Sequence, residues 1–230
     1  IYVLHHNTPA STATHPSAQD LTAANATLTG DVTVGSGTAA DRKIVFDGNA
    51  QDYHIGLDDS ADSLIIGKGS ALGTTSHIVT DENGHVTMPL QSCFQARPTS
   101  TISDIADGGS QTLTMATEVF DQNADYDTSN YTFTAPVTGK YLLTLNLRVQ
   151  SLDTDSAYFQ AIILTSNKEY QSIISTNRFS GDPLYWYVGV TVVADMDASD
   201  TAIPRVFIEG SNTHQVDMAT DSYFSGCLLA

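Results

Sequence analysis

The side chains able to do chemistry in this 230-residue chain are mostly carboxylates, with 26 Asp and Glu against 9 Lys and Arg. The densest run is Asp195-Met196-Asp197-Ala198-Ser199-Asp200, whose spaced acids have the rhythm of a calcium loop. An EF-hand loop also needs glycine at its sixth position and a bidentate acid at its end, and neither is there. The run reads instead as a turn in which Asp binds nearby backbone N–H groups. Residues 67–73 (Gly-Lys-Gly-Ser-Ala-Leu-Gly) have the composition of a phosphate loop. They lack the order G-x-x-x-x-G-K-[ST], and no helix pattern follows. No G-x-S-x-G elbow occurs. His54, His77 and His85 lie in short extended segments, without the H-x-x-x-H or Cys-x-x-Cys spacing that zinc needs. Paired carboxylates for glycoside cleavage require a groove between them, and Asp scattered through turns specifies no groove. An enzyme is not expected.

The elements that carry these residues are strands. Residues 30–91 alternate three- to five-residue apolar runs with Gly, Asp and Asn turns. Val32-Thr33-Val34, residues 43–46, 53–57, 63–67 and 77–80, and a last run at 85–89 read as a β-meander. Such a segment buries little by itself and gains stability if several chains wrap together. Residues 1–29 are rich in Thr, Ala, Ser and Pro and offer little that could form a core; they read as a leader that is disordered or ordered only on a partner, with His5-His6 as a metal option. Residues 92–230 hold longer strands, the clearest at 141–149, where Tyr141, Leu143, Leu145, Leu147 and Val149 share one face. No helical periodicity, heptad run or collagen repeat is present.

Charge narrows the partners. The chain carries a formal −17, divided as −7 over residues 1–92 and −10 over 93–230. Neither part offers the basic face that nucleic acid or an anionic membrane surface requires. No apolar run reaches the ~20 residues of a membrane helix. Ile1-Tyr2-Val3-Leu4 is too short for a secretory signal.

One stretch is far more specific. It runs Val119-Phe120-Asp121, Asn123, Tyr126-Asp127, then Tyr131-Thr132-Phe133-Thr134-Ala135-Pro136 and Gly139-Lys140-Tyr141, and the chain closes on Phe224-Ser225-Gly226-Cys227-Leu228-Leu229. Pro136 suits an edge or turn, and Gly139 supplies a permissive turn backbone before Tyr141 opens a strand. In order, spacing and distance to the end, this resembles the globular domain of the C1q/tumour-necrosis-factor superfamily over about residues 92–230. The resemblance implies an all-β jelly-roll sandwich and a homotrimer. Its motif residues here are Phe120, Asn123, Tyr126, Phe133, Pro136, Gly139, Tyr141, Phe224 and Gly226. The 195–200 run then falls on a superfamily turn, with Ser199 where that turn has Gly, so Asp200 is a turn residue. Calcium binds some members near the trimer apex, which makes Asp153 and Asp155 the metal candidate; no other cofactor is implied. First and last strands are neighbours in the resembled fold, which brings Cys93 near Cys227. A disulfide is one expectation; two small, buried, reduced residues are the other, and the preferred one.

The wording of residues 30–91, I-V-F-D-G-N…Y-x-I-G-L-D-D-S-A-D-x-L-I-I-G…D-E-N-G…V-T-M-P, is similar to a shaft module of tailed-bacteriophage fibre proteins. That implies three parts: leader 1–29, trimeric shaft 30–91 and head 92–230. A second argument favours the trimer. In residues 159–164 and 185–193 apolar side chains occupy both strand faces, and a sandwich hides only one of them. The expected function is that of a virion fibre, on the head or at the tail tip and displayed at the virion surface. The leader would meet other virion proteins. Loops 99–110, 152–156, 177–183 and 211–221 would read a cell-surface glycan or protein. A secreted cellular C1q-like lectin or adhesin is the alternative.

Overall fold

The computed structural model describes residues 24, 25, 27–210 and 215–230. The readings placed on the leader, including His5-His6, lie outside them, as do residues 211–214 of the last expected loop. The chain divides into two units, residues 1–38 and 39–230. In the described part of the first there is no strand; Val32-Thr33-Val34, expected as one, is exposed coil. The run is only three residues long, Gly35 and Gly37 at positive φ follow it at once, and no strand among the described residues pairs with it.

The second unit begins with a five-stranded antiparallel meander: β1 (Arg42–Phe46), β2 (Tyr53–Asp58), β3 (Ser63–Lys68), β4 (Ser76–Thr80) and β5 (Val86–Thr87), paired in chain order. Its turns are Asx turns. Asp58 Oδ1 accepts from the N–H of Ser60 and Ala61, and Asp81 Oδ1 from those of Asn83 and His85. This is the chemistry to which many of the acids are committed. Asp81 is held below its ordinary value of 3.8, first by its side-chain bond to His85.

The sandwich follows: β6 (Cys93–Arg97), β7 (Ile102–Ala106), β8 (Gly109–Thr112), β9 (Thr117–Asp121), β10 (Tyr126–Asp127), β11 (Thr132–Thr134), β12 (Gly139–Gln150), β13 (Phe159–Thr165), β14 (Glu169–Ile174), β15 (Tyr185–Met196), β16 (Thr201–Ile208), β17 (Gln215–Met218) and β18 (Tyr223–Leu228). One sheet runs β10-β11-β16-β13-β14, with β8 also on β16. In the other, β12 has β15 along one edge and β18 then β17 along the opposite edge; β6 and β9 continue beyond β18, and β7 beyond β17. Every pairing is antiparallel, and the first and last strands of the sandwich, β6 and β18, are neighbours. This is a jelly-roll sandwich, the fold class expected.

Alternation along β12 decides which face is inside. Tyr141, Leu143, Leu145, Leu147 and Val149 are fully buried, while Leu142, Thr144, Asn146 and Arg148 point outward. The core centres on Phe94, whose ring stacks on Tyr126 and Phe133 at 5.0 and 4.8 Å and meets Phe224 edge-on at 5.1 Å. Aromatic geometry of this kind adds to plain burial. Tyr126 keeps its hydroxyl satisfied by donating to Met115 O at 3.0 Å, and burial raises its phenol well above the ordinary range.

Pro204 explains one strand boundary. Its presence suggests a strand starting at Arg205, yet β16 runs unbroken from Thr201. In an antiparallel strand the N–H and C=O of one residue point to the same neighbour. Pro204 O accepts from Leu113 N at 2.9 Å, so its missing N–H falls on that same edge. There β11 pairs residues 201–202 and β8 pairs 205–208, which leaves a gap at Pro204 where no donor is needed.

Candidate functional site

The motif residues gather in the structure, but for different reasons. Tyr126, Phe133, Tyr141 and Phe224 are core rings around Phe94. Gly226 lies in register between Leu143 and Phe94, where a Cβ would come within 2.7 Å of both side chains. Gly139 passes beside the chain end, where a Cβ would meet Ala230 O at 2.6 Å. Asn123 Nδ2 reaches Asp125 in the turn before β10, and Pro136 sits in the exposed turn before β12. Phe120 is the exception: paired with Gln95 on the outer face, it is exposed.

That outer face belongs to the sheet containing β12. Reading across β15, β12 and β18, the register sets Val193 beside Leu142 and Cys227, Thr191 beside Thr144 and Ser225, and Gly189 beside Asn146 and Tyr223. Beyond them lie Tyr187 with Arg148 and Tyr185 with Gln150. Tyr185, Tyr187 and Val193 are each more than half exposed, at 54, 56 and 54%. Two carboxylates beside this face are paired within the chain. Arg148 Nη1 binds Asp221 Oδ2 at 2.9 Å while its guanidinium lies 5.2 Å from the Tyr185 ring centre; Tyr187 OH donates to the same Asp221 oxygen; Lys140 pairs with Asp195. The result is an apolar and aromatic surface on which Asp217, opposite Gln150, accepts from Asp104 N–H and pairs with no cation. The Arg148–Asp221–Tyr187 group has no local sequence signal, because its members come from three distant segments.

The second expectation for apolar strands divides. On β13, Ile162 faces outward yet is only 3% exposed, covered within the chain between its register partners Gln171 and Arg205. On β15 the outer apolar residues stay bare.

Of the expected reading loops, 99–110 holds β7 and the start of β8, and 211–221 holds β17, because distant strands pair with them; 152–156 and 177–183 are loops. Thr154 donates through N and Oγ1 to Asp182 Oδ1, joining loop 151–158 to loop 175–184. Asp104 N donates to Asp217 Oδ1 at 2.9 Å, joining the β6–β8 segment to β17, and Ala157 N to Glu209 O. Asp153 Oδ1 accepts from Asp155 N at 2.9 Å, an Asx turn. Among the described residues no group of three or more His, Cys, Asp or Glu is placed to hold a metal. At the opposite end, Asp200 Oδ2 accepts from Asp197 N at 2.8 Å and Asn167 Nδ2 at 2.6 Å, a turn role as expected. Cys93 and Cys227 oppose each other in the β6–β18 register with Cα atoms 4.1 Å apart, and are joined as a disulfide rather than kept as two thiols.

No family model matches the chain, and no curated protein matches it. Among solved structures it is similar to the globular domain of zebrafish complement 1qA protein, with 14% identity over 61% of this chain and 98% of that one, at a TM-score of 0.46. It is also similar to murine APRIL (10% identity, 60% and 99% covered, TM-score 0.44) and to Eiger TNF from S. frugiperda (10%, 61% and 92%, 0.42). The jelly-roll assignment rests on the strand order given above.

Proposed function

We propose that this chain is a homotrimeric structural fibre protein of a tailed-bacteriophage virion, whose head is a binding module rather than an enzyme. The observation that carries the trimer is the outer face of β15, β12 and β18: a monomer gains nothing by leaving Tyr185, Tyr187, Leu142 and Val193 in water, whereas two further copies cover them. With that face occupied, the loops joined through Asp182 and the segments joined through Asp217 are the free end, and they present polar side chains suited to a glycan or protein surface. The fibre role is supported by the similarity of residues 30–91 to phage shaft modules. Sedimentation of the full chain tests the oligomer: a three-chain mass is expected, with Tyr187→Asp shifted toward single chains, and a single-chain mass for the unmodified protein would refute it. Antibody against the head should label purified particles from the source of the sequence.

The Cys93–Cys227 bond supports a second reading, a secreted C1q-like lectin or adhesin, because such bonds persist in oxidising media. Antibody signal in the soluble extracellular fraction of cells, with particles unlabelled, would favour it.

A further inference from the structure

The sandwich has a second outer face, on the sheet that lacks β12, and at its centre is an unpaired cation. Alternation along β16 buries Ala202, Pro204, Val206 and Ile208 and turns Ile203, Arg205 and Phe207 outward. Arg205 is half-buried, with Ile162 of β13 beside it on one edge and Thr112 of β8 on the other. Its Nε is buried without a hydrogen-bond partner, and among the described residues no carboxylate pairs with its guanidinium. Arg148 makes the contrast: its Nε is also enclosed and unbonded, but its Nη1 holds Asp221. Drawing a cation out of water is costly unless a counter-charge meets it. In a chain with 26 acids, Arg205 has been given none.

The neighbours of Arg205 define what would complete it. One row along the sheet, Phe207 stands between Gln160 of β13 and Ser110 of β8, and its ring stacks on Tyr158 at 5.7 Å. The row of Arg205 continues across Ile162 to Gln171 of β14. Two amides and two hydroxyls thus frame one cation and one ring pair. Among the described residues none of those four side chains is hydrogen-bonded to the chain. The acids that share this face keep away from Arg205. Glu169 is opposite Leu164, Glu209 follows β16 and accepts from Tyr158 OH, and Asp127 of β10 accepts from Ser129 and Asn130. By strand spacing, Glu169 and Glu209 stand on the order of 12 Å from Arg205 along the backbone grid, beyond the ~8 Å screening length of physiological salt.

We propose that this face binds a carboxylated sugar, whose carboxylate pairs with the Arg205 guanidinium and whose ring lies against the Tyr158–Phe207 pair. A guanidinium meets a carboxylate through two parallel N–H donors. Adjacent rows are about 7 Å apart, close to the span of a six-membered sugar ring with its carboxylate. Gln160, Gln171, Ser110 and Thr112 are then left for the sugar hydroxyls. A protein partner would call for a mostly apolar centre, which this half-polar grid does not provide. A polyanion would be repelled by a chain of formal charge −17, so the ligand is one acidic residue of an otherwise neutral glycan. The proposal rests on the reading of the head as a binding module and adds a contact on the sheet to those at its end. It leaves the face of β15, β12 and β18 to the other copies, because the two faces belong to different sheets.

The test passes the full chain over neutral dextran bearing glucuronate at low density. N-acetylneuraminate is a second acidic arm, and glucose, with CH2OH in place of the carboxylate, is the control. Retention on at least one acidic arm is expected to exceed that on glucose at least tenfold, and to fall at least tenfold in Arg205→Gln. Thr112→Glu sets a carboxylate opposite Arg205 in register and should abolish retention through an exposed position; it decides alone if Arg205→Gln fails to fold by thermal unfolding. Equal retention on the acidic and glucose arms overturns the inference, as does unchanged retention by a folded Arg205→Gln. If Arg178→Gln, in the 177–183 loop, loses retention while Arg205→Gln keeps it, this inference falls and binding by the end loops stands.

Discussion

Gly226→Ala tests the core directly, because one added methyl must meet a ring that has nowhere to go. Gly226 is flanked in register by Leu143 on β12 and Phe94 on β6. A Cβ there would lie 2.7 Å from Leu143 Cδ2 and 2.7 Å from Phe94 Cε1, well inside contact distance. Leu143 is fully buried and cannot swing into solvent. Phe94 is held by two stacked rings and one edge contact. Overpacking of this kind costs about 1–3 kcal/mol. Replacing glycine also restricts the unfolded chain, which returns about 0.4–1 kcal/mol. The net is a loss of about 1–2 kcal/mol, or roughly 2–8 °C in Tm for a domain of this size. The control is Gly181→Ala: an exposed loop glycine with no atom within 4 Å of the added carbon. Both are compared with the unmodified chain by thermal unfolding at one fixed concentration, since association shifts Tm. A Gly226→Ala variant that unfolds within about 1 °C of the unmodified chain would mean that the Phe94 ring does not sit against β18, and the ring cluster would have to be redrawn.

Two further outcomes are expected. Ser199 occupies the left-handed region at φ 77°, where a side chain costs about 1–2 kcal/mol; Ser199→Gly should therefore raise stability by about 0.5–1 kcal/mol after the unfolded-state cost of glycine, read as a higher denaturation midpoint with an unchanged slope. Cys93 and Cys227 are 134 residues apart, so their bond closes a loop of nearly the whole head. Reduction should lower stability by about 2–4 kcal/mol, and alkylation of the denatured, unreduced protein should add no label.

The sequence was most readable where a single strand carries its own evidence. The alternation of 141–149 fixes a buried face at once, and β12 is that strand with two more residues at its start and one at its end. What remained hidden was made by pairing at a distance. β7, β8 and β17 are short strands of four or five residues with weak alternation, held by neighbours far along the chain. The bulge between Val216 and Met218 further blurs any period-two pattern in β17. The same limit applies to the candidate site. Aromatic residues at 185–187 are plain in the sequence, but nothing local says that Arg148 and Asp221 will lie beside them. The motif glycine at 226 is visible as a residue, whereas its reason, the Phe94 ring, comes from a strand more than a hundred positions earlier.

Two-faced strands are what link fold to assembly, and the structure makes that link conditional. An apolar residue on the outer side of a strand demands a partner only where its own sheet cannot cover it. Ile162, in the middle of β13 with β14 and β16 on either side, is screened by Gln171 and Arg205. Tyr185, Tyr187 and Val193 lie on β15, an edge strand that β12 covers along one side only. The meander repeats the situation, with the buried residues His54 and Ile65 on one face and the exposed Ile44, Ile66 and Ile78 on the other. Burial of such surface is worth roughly 25 cal/mol per Å², and in a chain of formal charge −17 it must also exceed the repulsion of bringing copies together. On both bare faces most of the nearby acids are set aside from the apolar surface. On the meander the acids stand in the flanking turns; on the head Asp195 and Asp221 are already paired with Lys140 and Arg148. Apolar exposure beside few unpaired carboxylates is the physical argument behind the proposed association of this acidic chain.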